Sequence, residues 1–212
     1  MSSKLDIWNL ALSHIGDGSD VDDVDEESLE AEQCRKYYPI ALGMLLERHA
    51  WNFAVKTVRL AEHTEVAPQD WTFRYAFPSD YVQALQVLPN FCNVNTTWLD
   101  EMAFLQYVAD NAKHYDIESA SDGTPTIVTN EYQACLRYIW RNEITGHYSA
   151  GFVMALSLLL SSFLAGGPIL KSAKVSAQKL EMFELALGHA TKNVSNASHN
   201  PARHLPMHLR KR

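Results

Sequence analysis

The chain has 212 residues, 47% hydrophobic and 20% charged, a globular composition with enough apolar mass for a core of ordinary size. Its formal net charge of −7 argues against a general nucleic-acid binder, which needs a basic surface for phosphates. Cys34, Cys92 and Cys135 are widely spaced and form no CxxC pair, so neither a zinc site nor a disulfide framework is supported, and free or buried thiols are expected.

Ser2 or Ser3 is placed to cap a first helix, in which Leu5, Trp8, Leu12 and Ile15 recur at helical spacing before Gly16 stops it. This opening is amphipathic and has no continuous apolar run, so no cleaved leader is expected. An acidic loop follows, since residues 17–32 hold nine acids and no Lys or Arg. Clustered carboxylates suit hard cations. However, counting from Asp17, Asp20 or Asp23 misses the calcium-loop offsets, and no metal is assigned. A second helical pattern runs over about 26–49, with Leu29, Tyr37, Ala41, Met44 and Leu45 on its apolar side. Pro39 inside it should kink or split it.

Trp51, Asn52 and Phe53 crowd the place where the helical period gives way to alternation. The cluster could be an aromatic box for a ligand. The preferred reading is a structural junction, in which Trp51 and Phe53 fill the joint between a helical body and a β-rich insertion and Asn52 ties backbone groups at the helix end. Beyond it, Trp71, Phe73, Tyr75 and Phe77 alternate with Thr72, Arg74 and Ala76, which predicts a strand with one aromatic face. "FPSDY" reads as a turn and "YVQALQVL" as the next strand, and "HYDIES", "SDGTP" and "TIVTN" read as a hairpin. "EYQACLRYIWRN" fits helix and strand equally.

The run "GFVMALSLLLSSFLAGGPIL" at 151–170 imitates a membrane span. Ser157, Ser161 and Ser162 dilute it and Gly166-Gly167-Pro168 break it, short of the roughly 20 apolar residues a span needs. A buried helix over about 149–164 and no membrane contact are expected. Ala173, Leu180, Phe183, Leu187, Ala190 and Val194 then trace the stripe of a last helix packed on it.

These readings predict an α+β, mainly α chain. A helical bundle body (1–50 and 147–198) carries a small antiparallel β-rich insertion (51–146) and a basic tail (199–212), disordered in the free protein. The tail carries four basic residues and no acid. Arg203, His204, Leu205, Met207, Leu209, Arg210, Lys211 and Arg212 alternate charge with apolar side chains, a pattern suited to ordering in a protein groove. A phosphate-binding arm and a plain solubilising tail are the other readings. No GxSxG, HExxH, GxGxxG or P-loop is present, so no catalytic residue and no cofactor are assigned.

Motif order then points further. "LALSHIGDGSDVDDVDEESLEAEQCRKYYPIALGMLLERHAWNFAVKTVRLA" holds a helix ending in Ile-Gly, an acidic turn, a Cys-x3-Tyr-Pro helix and a Trp-Asn-Phe-Ala junction. "WTFRYAFPSDYVQALQV", "IVTN", "LRYIWR", "FVMALSLLLSSFLA" and a last helix with Phe183, Ala186 and Ala190 follow. This ordered set, over about 5–195, resembles the head-to-tail adaptor (tail tubular protein A-like, head-completion) family of tailed phages. Ala50 stands where that family's pattern has Pro, and "NFCNVNTTWLDEMAFLQYV" has no counterpart. The resemblance implies a non-enzymatic virion protein at the head–tail junction, present in host cytoplasm during assembly. It implies a ring of copies, typically twelve, under the portal protein. Such a ring extends the channel for double-stranded DNA and supports a downstream tail or nozzle protein. The tail residues would dock on the portal. Readings from other classes are a virion-associated cell-wall hydrolase and a DNA-binding head-completion protein.

Overall fold

The computed structural model of the chain describes residues 3–89 and 112–197. The fold is α+β and mainly α, with four α-helices and antiparallel sheets among the described residues. The chain divides into two compact units: Met1–Leu45 with Ile144–Arg212, and Leu46–Glu143.

The first unit is helical. Helix α1 (Lys4–Ile15) begins with a capping box, in which the Ser3 hydroxyl accepts from the Asp6 N–H while the Asp6 carboxylate accepts from the Ser3 N–H. It stops at Gly16, whose φ of 79° is left-handed. Helix α2 (Leu29–Glu47) runs through Pro39 without being split. The proline removes one backbone donor, and the helix continues because its inner side is fully buried at Cys34, Ala41, Leu42 and Leu45.

That inner side differs from the expected one. Leu29 and Met44 face outward, and Ala31, Tyr38 and Leu42 lie inside instead. Helix α3 (Ala150–Gly166), capped by Ser149, is buried nearly all round. Among the described residues no helix is long and apolar enough to cross a membrane. Helix α4 (Ala173–Ala197) packs along α3. Phe183, Leu187 and Ala190 lie inside as expected, but Leu180 and Ala173 are exposed. The two helices come close enough that a Cβ on Gly151 would stand 3.1 Å from that of Ala190. Helix α1 packs on α3 as well, and α2 joins through Tyr37 stacked on Phe163 and Tyr38 edge-on to Trp8.

The second unit is β-rich. After a 3-10 turn (Asn52–Ala54) come β1 (Val55–Arg59), β2 (Ala61–Glu62), β3 (Phe73–Ala76), β4 (Tyr81–Leu88), β5 (Tyr115–Ser119), β6 (Pro125–Thr129) and β7 (Cys135–Trp140). One sheet has the order β1-β7-β4 and the other β2-β3-β6-β5, with every pairing antiparallel. Val55 opposite Ile139 and Arg59 opposite Cys135 fix the β1–β7 register.

Tyr75, Val87, Ile127, Leu136 and Tyr138 from both sheets form the core of this unit. The ambiguous segment is therefore the central strand β7, whose Cys135, Leu136, Tyr138 and Ile139 are all buried. The expected alternation in β3 also needs correction, because Arg74 on the supposed polar face is buried. The expectation of free thiols fails at Cys135, which is disulfide-bonded. Cys34 is a buried free thiol. The tail residues Arg203 to Arg212 lie outside the described residues.

Candidate functional site

Three groupings could carry chemistry. The first is the Trp51 cluster. Trp51 is wholly buried, stacks on Phe53 with ring centres 6.2 Å apart and meets His49 edge-on at 5.3 Å. Its N–H donates to the His49 carbonyl and its carbonyl accepts from the Ala54 N–H, which closes the 3-10 turn. A ligand box needs an accessible aromatic face, and Trp51 offers none. Burial also lowers the pKa of His49, which disfavours a charge beside the rings.

Asn52, expected to tie the backbone here, is exposed. The tie comes from Asn142, fully buried, whose Nδ2 donates to the Phe53 carbonyl at 2.9 Å. Sequence reasoning missed Asn142 because it lies 89 positions from its acceptor.

The second grouping explains the Pro-x-Asp-Tyr turn. Tyr81 N–H donates to the Pro78 carbonyl, which turns the chain into β4. Asp80 is held at both oxygens: Oδ2 accepts from Lys56 Nζ at 2.8 Å and Oδ1 from the Tyr138 hydroxyl at 2.7 Å. Lys56 Nζ also sits 3.5 Å from the centre of the Trp140 ring. The Lys56 hydrogen bond, foremost, holds the Asp80 carboxyl below its ordinary range. Desolvation, then the bond to Asp80, pushes the Tyr138 phenol up. The pair is thus an ionised acceptor and a protonated donor across the neutral range. It latches β1, β4 and β7 together and has no proton to exchange.

The third grouping lines a cleft of 220 Å³ in the β-rich unit, bounded by residues 62–67 and 72–74. Arg74 is buried there, with Nη1 3.2 Å from Thr126 Oγ1 and 3.6 Å from Glu65, and Nη2 4.0 Å from Glu118. Glu65 in turn accepts from Ser121 N–H and Oγ, each at 2.8 Å, and these bonds are the main cause of its lowered pKa. Two carboxylates already balance one guanidinium, so the cleft holds no net positive charge to draw an anion.

Elsewhere the acidic residues act as local caps. Asp17 accepts from Ser19 N–H, Asp23 from Asp25 N–H, and Glu26 from Asp22 N–H. Asn9 clamps both backbone groups of the buried Val21, and Arg35 donates to the Val24 and Glu26 carbonyls. The loop is anchored by these bonds. Among the described residues no group of three His, Cys, Asp or Glu could hold a metal ion. The Cys34 thiol is pushed up to about 12, by burial first and then by Glu30 and Asp17, so it is no thiolate nucleophile at neutral pH.

No protein-family model matches the chain, and no curated protein matches it.

Proposed function

We propose that the chain is a structural, non-enzymatic virion protein, a head-to-tail adaptor. Copies form a ring beneath the portal, extend the DNA channel and support the tail protein attached below. The observation that supports this most is the interleaving of the two units. A helical unit drawn from both ends of the chain brackets an antiparallel β unit, and the quoted motifs fall at the turning points between elements. Ile15-Gly16 ends α1, Trp51-Asn52-Phe53 leads into β1, and Pro78 to Tyr81 starts β4.

Electrostatics agree with this role. A channel wall must let DNA slide, and carboxylates repel phosphates within a Debye length of about 8 Å at physiological salt. A subunit of net charge −7 suits such a wall. The proposed portal contact is the segment from Arg203 to Arg212. Fixing a flexible segment on a partner costs about 1–2 kcal/mol per residue of backbone, and a ring of linked copies offsets a cost of that kind through avidity.

Particle mass, measured for the protein alone and with portal rings, tests the reading. Deleting residues 199–212 is expected to leave a folded subunit that no longer assembles on portal rings. Undiminished assembly of the truncated protein rules out the tail as the docking segment. A full-length protein that never joins a portal ring rules out the adaptor reading.

A further inference from the structure

Two helices carry apolar side chains that are exposed among the described residues. On α2 the exposed line is Leu29, Lys36, Ile40 and Glu47, and Ile40 is 52% exposed. On α4 the exposed line is Lys174, Glu181, Leu185 and Lys192, and Leu185 is 69% exposed, more than any other large apolar side chain described on the four helices. Both lines step by seven, four and seven residues, a spacing that keeps every member on one face of a helix. Met44 widens the first line and Met182 the second, and both are exposed.

We infer that these two faces are the two halves of one copy-to-copy interface, with α2 of one subunit seated against α4 of the next. The inference rests on the ring reading above and assigns its contact. Charge complementarity identifies the occupant. Laid side by side in the same direction, the lines set Lys36 against Glu181, Ile40 against Leu185 and Glu47 against Lys192, with the aliphatic stem of Lys174 against Leu29. In the antiparallel register that pairs all four members of each line, like faces do not match. Two α4 faces related by a two-fold axis bring Lys174 against Lys192 and leave Leu185 opposite Glu181. Two α2 faces leave Ile40 opposite Lys36. A contact between two different patches is heterologous, and it repeats from copy to copy until it closes.

The test is the mass of the full chain in solution. Wild type is expected to exceed the 23.9 kDa of one chain as concentration rises. Ile40→Glu and Leu185→Glu are each expected to remain at one chain. Mixed, each retains the face the other has lost, so the two should form a pair of twice that mass and nothing larger. Lys36→Glu should weaken assembly, and adding Glu181→Lys to the same chain should restore it. This second pair decides the matter if either apolar variant fails to fold.

Wild type that stays at one chain at every concentration overturns the inference, as does a mixture that gives no pair. Single variants that assemble like wild type also overturn it, but leave the ring reading standing with its contact elsewhere. The expected solution masses, with no seating on portal rings, uphold the interface and overturn the adaptor reading.

Discussion

Helix α3 and the β-rich unit solve the same problem at different ranges. Both bury polar side chains. In α3 the hydroxyls of Ser157, Ser161 and Ser162 each donate to the carbonyl three residues earlier. The helix therefore satisfies its own polar atoms before it packs. In the β-rich unit the partners are remote. Arg74 meets Thr126, Tyr138 meets Asp80, Tyr75 donates to the Glu131 carbonyl and Asn142 to that of Phe53, across 52 to 89 positions. A polar group satisfied locally stays satisfied when its neighbours shift. One satisfied remotely depends on the whole unit being folded, so its loss exposes the unit's cooperativity.

The largest expected effect lies where the β-rich unit begins. Trp51 is fully buried, and truncating a large aromatic in a core costs about 3–5 kcal/mol. Trp51→Ala should lose that much in urea unfolding, with assembly lost as a consequence. A variant that keeps wild-type stability but loses affinity for a small molecule would restore the ligand-box reading. Next in size is Asn142→Ala. It removes the donor to the Phe53 carbonyl and empties a fully buried polar position, at about 1–3 kcal/mol. Equilibrium unfolding should register that loss, and a neutral result would mean that the remote bond is dispensable.

The same contrast in range decides what the sequence reveals. The first and third helices were legible because their caps and stops are local: Ser3, Gly16 and Ser149 act within three residues. The hairpin of β5 and β6 was legible through "SDGTP", where Gly123 takes a φ of 84°. Strand β7 was not, because a central strand buried on both faces loses the period of two. Arg74 was misplaced because alternation assumes one wet face, and a guanidinium with carboxylates nearby can occupy a covered one. At the Trp51 cluster the aromatic members were visible. The tie was not, since nothing in "WNF" points to Asn142. Leu29 and Met44 misled because apolar periodicity says which residues share a face, not whether this chain covers that face itself.

A smaller effect separates charge from hydrogen bonding at the Asp80 latch. The carboxyl titrates below its ordinary value, foremost because of Lys56. A depressed acid contributes stability that is fully present above the unfolded Asp pKa of about 4 and lost as pH falls through the lower folded value. The carboxyl is a third exposed, so solvent screens the ion pair and holds its contribution to about 1 kcal/mol at most. Asp80→Asn keeps an oxygen for the Tyr138 hydroxyl but removes both the charge and the oxygen that accepts from Lys56, and only the charge part of the loss varies with pH. It should be slightly less stable than wild type at pH 7, and the difference should narrow at pH 3. An unchanged difference at both values, in parallel urea titrations, would show that Lys56 contributes nothing through charge.

The smallest effect is expected from Ser161→Ala in α3, and it tests the comparison most directly. Ser161 is as fully buried as Asn142, so burial alone gives no reason for the two variants to differ. Their partners do. The Ser161 hydroxyl donates at 2.7 Å to the Leu158 carbonyl, which the helix already supplies with the backbone N–H four residues on. Removing the hydroxyl deletes a donor without orphaning its acceptor, and alanine is the better helix former. Stability should stay within about 0.5 kcal/mol of wild type. A loss as large as that of Asn142→Ala would mean that burial, not the range of the hydrogen bond, sets the cost of removing a polar group.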